Sequence, residues 1–208
     1  NNNSILRYNW TSEEAKSIID QPLLDLLFKS QTIHRSNFPK NEIQKSKLLS
    51  IKTGSCPEDC SYCSQSAHHN VDLKKEPLIS LGEVVKAAED AVKEGATRFC
   101  LGAAWRGPTD KNIDQVCDMV EAVNGLGLES CVTLGMLKEG HAEKLANSGL
   151  NYYNHNIDTS EEFYKSIITT RNFSDRIDTL EKVRNAGVKV CSGGIIGMGE
   201  TRYDRSEM

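Results

Sequence analysis

The stretch SLGEVVKAAEDAVKEGATRFCLGAAW, residues 80–105, contains one complete unit of the chain's architecture. Ser80 and Glu83 form a capping-box start, and Val84, Val85, Ala88 and Val92 follow at helical spacing. Gly95 supplies the stop, and TRFCLGAAW (97–105) then reads as a strand. The same order recurs three times. A helix near 110–124 precedes LESCVTLG, one near 138–147 precedes NYYNHNIDT, and one near 174–186 precedes VKVCSGGIIG. Each later strand follows a helix-ending glycine: Gly95, Gly127, Gly149 or Gly187. Upstream, LLSIKTG (48–54) is a short apolar run closed by glycine, which fits a first buried strand. Strands and helices alternating in this way imply parallel βαβ units.

Five strands result, at about 48–53, 97–103, 129–134, 151–157 and 188–195. A complete (β/α)8 barrel takes about 250 residues. The expected fold is therefore α/β, a TIM-type barrel truncated after about five βα units, with a doubly wound open sheet as the competing reading. Residues 1–46 read as a helical lead-in, with Thr11 and Glu14 capping TSEEAKSIIDQPLLDLLFKS (11–30), and residues 47–208 as the incomplete barrel. The chain does not start with Met and stops at SEM, shortly after the helix-like ETRYDR, so a piece of a longer protein is expected.

Composition narrows the function classes. The 208 residues carry a net charge of −4, with 38% hydrophobic and 26% charged side chains. That balance, without a basic run, argues against a nucleic-acid partner. No apolar stretch approaches the roughly 20 residues that cross a bilayer. The start NNNSILRYNW lacks a basic n-region and an apolar h-region. Seven cysteines without a secretory signal point to a reducing cytoplasm and to metal binding.

Three of those cysteines fall at nearly the same step along their strands. Cys100 lies five residues after Gly95, Cys131 four after Gly127 and Cys191 four after Gly187, with Asn154 five after Gly149. Asn154, Asn156 and Asp158 have period two and are expected on one strand face. Two amides and a carboxylate would be costly in a dry core, whereas a polar-lined barrel interior accommodates them. Any one cysteine is more often core packing than a ligand. Three at matched depth make a shared metal site an equal contender. Cys117, among Val116, Met119 and Val120 on a helix, reads as packing.

CPEDCSYC (56–63) places Cys56, Cys60 and Cys63 in a Cx3Cx2C rhythm, in the loop after the first strand. Three thiolates leave one position open on a tetrahedral metal or on a four-iron cluster. His68 or His69 could complete a zinc site. Alternatively, a 4Fe-4S cluster keeps one iron free for a non-protein ligand. That is the pattern of the radical S-adenosylmethionine (SAM) enzymes, and barrel enzymes carry their chemistry in such loops.

The likeness extends beyond this loop. SIKTGSCPEDCSYCSQS, TRFCLGAAW, YYNHNIDTS, IITTR and VCSGGIIGMGE together resemble the biotin synthase family, in its order and spacing, from PLLDLLF onward. The resemblance implies sulfur insertion into dethiobiotin. Cys56, Cys60 and Cys63 would hold the SAM-binding 4Fe-4S cluster, and Cys100, Cys131 and Cys191 a deeper 2Fe-2S cluster that donates sulfur. Tyr62 would approach the SAM adenine, Ala103 the methionyl amino group, and Asn156, Asp158 and Arg176 further polar parts of SAM. Asn154 would contact the ureido ring of dethiobiotin, and IIGMGE (195–200) would be a glycine-rich strand beside the adenine. An electron donor such as a flavodoxin or ferredoxin system, and a homodimer at full length, are implied as well. The family's fourth 2Fe-2S ligand, an arginine on a later strand, has no counterpart in residues 1–208. Another radical SAM family, or a zinc-stabilised ligand-binding barrel without redox chemistry, are the competing functions.

Overall fold

The computed structural model describes residues 7–208, so the first six residues of the expected lead-in lie outside the described part. Five strands form one parallel sheet in the order β1-β2-β3-β4-β5: Ser46–Lys52, Arg98–Ala103, Glu129–Thr133, Tyr152–Asn154 and Lys189–Cys191. Each βα unit adds its strand beside the last. A doubly wound sheet reverses its strand order at a switch point. Here the order never reverses, which is the winding of a barrel, and both β1 and β5 are free edges among the described residues.

Local chemistry sets the helices. Capping boxes open α1 (Ser12–Ile19), α3 (Leu81–Lys93), α4 (Asp110–Gly125), α7 (Phe173–Asn185) and α8 (Arg202–Glu207). The glycines that follow α3, α4, α5 (His141–Asn147) and α7 all adopt φ between +79° and +84°, the left-handed turn that ends a helix. Within the described part of the helical lead-in there are two helices. Pro22 lacks the N–H that a continuous helix would use, so the chain breaks there and restarts as α2 (Leu23–Asn37). A one-turn helix, α6 (Glu161–Tyr164), follows β4. Helix α1 lies against α8, where Arg202 Nη1 meets Asp20 Oδ1 at 2.6 Å.

Strand alternation divides the side chains into two environments. Ile51, Phe99, Leu101, Val132 and Tyr153 point to the helices and are fully buried there with Val84, Ile113, Val120, Leu145 and Val183. Each such side chain contributes about 1.5–3 kcal/mol by leaving water. The opposite face carries Ser50, Lys52, Cys100, Gly102, Cys131, Thr133, Tyr152 and Asn154. At its lower end Arg98 stacks on the Tyr152 ring at 3.8 Å and pairs with Glu129 at 2.8 Å. Leu48, the register partner of Cys100, is the apolar side chain among these polar, sulfur-bearing and small residues.

The loops after β2 and β3 touch backbone to backbone. Met136 N–H donates to Arg106 O at 2.8 Å, and Tyr153 Oη donates to Gly135 O at 2.6 Å. Gly135 has φ +85°, and a Cβ there would stand 2.4 Å from Arg106 O and 2.6 Å from Trp105 O. Gly135→Ala should therefore cost more than the roughly 1–3 kcal/mol of a left-handed non-glycine residue, since backbone must also move. Gly125, in helix α4 with nothing within 4 Å of its Cβ direction, is the control. Gly125→Ala should leave stability unchanged or raise it by up to about 1 kcal/mol. Denaturant unfolding of both variants checks the contrast, and equal midpoints would refute it.

Candidate functional site

A cavity of about 320 Å³ opens where the strands end, lined by Lys52 of β1, Gly102 and Ala103 of β2, Thr133 of β3 and Asn154 of β4. This is the C-terminal rim, where loops can place chemistry on a rigid frame. The loop after β1 enters it with Cys56, Cys60, Tyr62 and Cys63, and the segment after β4 with Asn156 and Asp158.

The cysteine loop is held on both sides. Cys56 N–H donates to Gln65 O at 2.9 Å, Ala67 N–H to Cys56 O at 2.7 Å, and Cys63 N–H to Cys60 O at 3.0 Å. Asp59 anchors it from below by accepting the N–H groups of Thr169 and Thr170, at 2.9 and 3.2 Å. Desolvation opposes ionisation of Asp59, but these bonds outweigh it and hold the carboxyl well below the usual range. Burial pushes the Cys56 and Cys60 thiols up.

His68 and His69 each commit Nε2 to a loop carbonyl, which leaves Nδ1 as the ring nitrogen open to a metal. Their Nε2 atoms lie 3.0 Å from Pro57 O and 2.8 Å from Cys60 O. A carbonyl oxygen only accepts, so each Nε2 carries a proton and cannot ligate. Among the described residues no three His, Cys, Asp or Glu side chains converge on a single ion. A zinc ion with sulfur at about 2.3 Å draws its ligands into near contact. Cys56, Cys60 and Cys63 all line the one cavity, and three cysteine sulfurs are the donor set that an iron–sulfur cluster takes.

Cys100 and Cys131 are register partners on the inner face, one alternation below Gly102 and Thr133. The Cys131 hydrogen bond holds the Cys100 thiol down, to about 7, and that same contact pushes Cys131 up, with burial adding to it. One of the pair therefore gives up its proton readily. Cys191 is the partner of Asn154, whereas Cys131 is the partner of Tyr152. Cys191 thus stands two residues further along the register than the equal glycine offsets suggest. A rung of hydrogen bonds is not a level of a barrel, because strands tilt by about 36°. The Cys191 thiol still acts on Cys131 through space. The three face one interior, with Cys131 buried and Cys191 exposed at the free edge.

Asn154, Asn156 and Asp158 do share the cavity, but not as one strand face. Strand β4 ends at Asn154, and Asp158 has φ +71°. Beyond the strand, His155 N–H donates to Cys191 O and Asp158 N–H to Gly193 O, so the segment follows the loop after β5. Asp158 is buried, and its Oδ2 meets Arg171 at 3.3 Å and Arg176 at 3.1 Å. Arg176 Nη1 also lies 3.1 Å from His155 Nδ1. Burial, then the charges of Arg176 and Arg171, hold His155 neutral, with its pKa down to about 2. The neutral ring accepts. Tyr62 lies at the cavity edge, its phenol pushed up by burial and then by Asp158. Asn154 Oδ1 is buried without a partner, an acceptor facing no donor among the described residues. The IIGMGE segment forms no strand. Glu200 folds it into a turn by accepting the Gly197 and Met198 N–H groups at 2.8 and 2.7 Å, outside the cavity lining.

Two members of this site carried no role in the sequence reading. Glu58, between Cys56 and Cys60, and Arg171, the end of IITTR, are both buried and pair at 3.0 Å. Both sit inside quoted motifs, which is the signal that could have flagged them.

The Radical SAM superfamily profile matches residues 50–208. The chain belongs to the radical SAM superfamily. Among curated radical SAM relatives, it is 58% identical over 205 residues to the biotin synthase of Psychromonas ingrahamii, covering 99% of this chain and 58% of the relative. It is 57% identical over 206 residues to the biotin synthase of Colwellia psychrerythraea, covering 99% and 60%. The chain thus spans about three fifths of the length of the curated relatives it matches. In fold it is similar to methylornithine synthase, with a TM-score of 0.78 at 16% identity, over 96% of this chain and 60% of that one. Among the described residues no helix is long and apolar enough to cross a membrane.

Proposed function

We propose that this chain is the radical SAM part of a biotin synthase, which converts dethiobiotin to biotin. In this reading Cys56, Cys60 and Cys63 hold a 4Fe-4S cluster, and Cys100, Cys131 and Cys191 contribute to a 2Fe-2S cluster beneath it. The observation that carries it is the second set of cysteines on the inner face, Cys100 and Cys131 one alternation below the cavity and Cys191 opposite Asn154 at the free edge. A radical SAM barrel that only cleaved SAM would need the loop cysteines alone. When bound, the upper cluster supplies the electron that cleaves SAM and the lower one supplies sulfide.

The chain's own residues bind, orient and exclude water. Tyr62 covers one side of the cavity, where an adenine would lie. The Ala103 carbonyl accepts the Trp105 N–H at 2.9 Å and has a second lone pair for the methionyl amino group. Arg176, on α7, presents a guanidinium beside Asn156 and Asp158 for the remaining polar parts of SAM. Asn154 Oδ1, buried and unpartnered, is suited to accept an N–H of the dethiobiotin ureido ring, which would satisfy it. The ring would then sit between the upper cavity and Cys191, the register partner of Asn154. A flavodoxin or ferredoxin-type electron donor, a homodimer and a cytoplasmic location belong to the same proposal.

The test is anaerobic reconstitution of the full-length protein, with iron, sulfide and zinc counted. SAM, dethiobiotin and a reductant are then supplied. Biotin with 5′-deoxyadenosine supports the reading. 5′-Deoxyadenosine without biotin moves the chain to another radical SAM reaction, and zinc in place of iron overturns the reading.

Asp158 offers a separate check. Its carboxylate suits ribose hydroxyls, yet it also neutralises the buried Arg171 guanidinium and the half-buried Arg176. Asp158→Ala should weaken SAM more than dethiobiotin. It should also destabilise the ligand-free protein by up to about 3 kcal/mol, because the buried Arg171 loses one of its two carboxylates and Arg176 loses its one. Asp158→Asn tolerates the left-handed backbone and should be milder. Ligand titrations and ligand-free melts measure both. Unchanged SAM affinity with lost dethiobiotin affinity would reverse the assignment.

A further inference from the structure

The Arg171 side chain is 3% exposed, and all three of its nitrogens are committed. Nε donates to Tyr164 Oη at 2.9 Å, Nη1 pairs with Glu58 Oε2 at 3.0 Å, and Nη2 lies 3.3 Å from Asp158 Oδ2. The same Nη2 lies 3.3 Å from Cys60 Sγ. Two carboxylates already neutralise the buried guanidinium. The approach to sulfur is additional to that pairing. A thiol is a weak acceptor, while a thiolate ligating iron keeps negative charge that an N–H can meet.

Cys60 is the cysteine of the loop singled out in this way. Neither Cys56 nor Cys63 has a guanidinium hydrogen bond among the described residues, and Cys60 is the most buried of the three. Glu58 and Cys60 stand two residues apart in the loop, so one guanidinium grips it at two points. Asp158 fixes that guanidinium from the far side of the cavity, and Tyr164 fixes it from α6.

We propose that Arg171 is a positioning residue for the loop cluster, donating an N–H···S hydrogen bond to the Cys60 sulfur and thereby raising the cluster's reduction potential. This rests on the reading of Cys56, Cys60 and Cys63 as 4Fe-4S ligands. Hydrogen bonds to ligand sulfur and nearby positive charge favour the reduced, more negative state, and both are levers on cluster potential. The effect reaches the electron step through the Cys60 sulfur.

The experiment uses the anaerobically reconstituted full-length protein without SAM or dethiobiotin. Iron and sulfide per chain are counted, and the midpoint potential of the loop cluster is read from its visible and electron paramagnetic resonance spectra. Arg171→Lys keeps the charge but offers a point donor that cannot reach four partners in fixed geometry. Its cluster should load as in the parent but reduce with an equilibrium constant about tenfold lower, a shift of about 59 mV to the negative side. The double variant Arg171→Gln with Glu58→Gln removes the cation and its partner charge together, so the net charge beside the loop is kept and the negative shift that remains reads the lost guanidinium hydrogen bond to sulfur. It also decides the matter should the lysine variant load poorly. Full cluster content with an unmoved potential in the variants would overturn the proposal and leave Arg171 a structural ion-pair member. A parent that binds no 4Fe-4S cluster would instead bring down the underlying reading, which the iron count separates from the first outcome.

Discussion

Cys60→Ala in the full-length protein is expected to abolish reductive SAM cleavage, with 5′-deoxyadenosine falling to background. Cys60 is buried beside Tyr164, Ile167 and Ile168. Removing one sulfur from such a pocket costs about 1 kcal/mol, on the scale of a deleted methylene, so the fold should survive. The loss would then belong to the missing ligand rather than to unfolding. The proposed second site lies on β2, β3 and β5 and shares no residue with the loop. Its 2Fe-2S absorption should persist in the variant while the 4Fe-4S signal disappears. A melt within a few degrees of the parent, taken with the spectra, checks that separation. Sustained 5′-deoxyadenosine formation would remove Cys60 from the ligand set and, with it, the loop reading.

The strand and helix order was legible because its signals are local. Capping boxes and helix-ending glycines act within a few residues, and they recur at each unit. Their repetition implied parallel units but left a doubly wound sheet open, and the strand order β1-β2-β3-β4-β5 decides for the barrel winding. Misreadings arose where tertiary contacts override local pattern. Asn154, Asn156 and Asp158 alternate like a strand, yet the backbone leaves the strand once its N–H groups find the loop after β5. IIGMGE looks like an extended glycine-rich strand, but the Glu200 carboxylate closes it into a turn and is itself held low, to about 2, chiefly by those N–H bonds. The Glu58–Arg171–Asp158–Arg176 chain was invisible for another reason. Glu58 and Arg171 are far apart in sequence, and no periodicity links them. Only the fold reveals that a charged residue inside the cysteine loop is buried, and burial demands a partner.

The two cysteine sets make the second large prediction sharply different from the first. Cys131→Ala in the full-length protein is expected to leave SAM binding and 5′-deoxyadenosine formation largely intact while biotin formation stops. Cys131 lies below the cavity rather than in its lining, so the SAM contacts proposed above do not involve it. The substitution removes one of the three chain-derived ligands proposed for the lower cluster. The iron and sulfide count should fall by the content of that cluster alone. A dethiobiotin-derived product lacking sulfur is a further sign, because a substrate radical formed above an empty lower site has no sulfide to meet. Cys117→Ala is the control, since Cys117 packs on the outer core and faces no site. It should form biotin at the parent rate. Parent-rate biotin from Cys131→Ala would mean that Cys100, Cys131 and Cys191 are packing inside a polar barrel, and the sulfur would have to come from elsewhere.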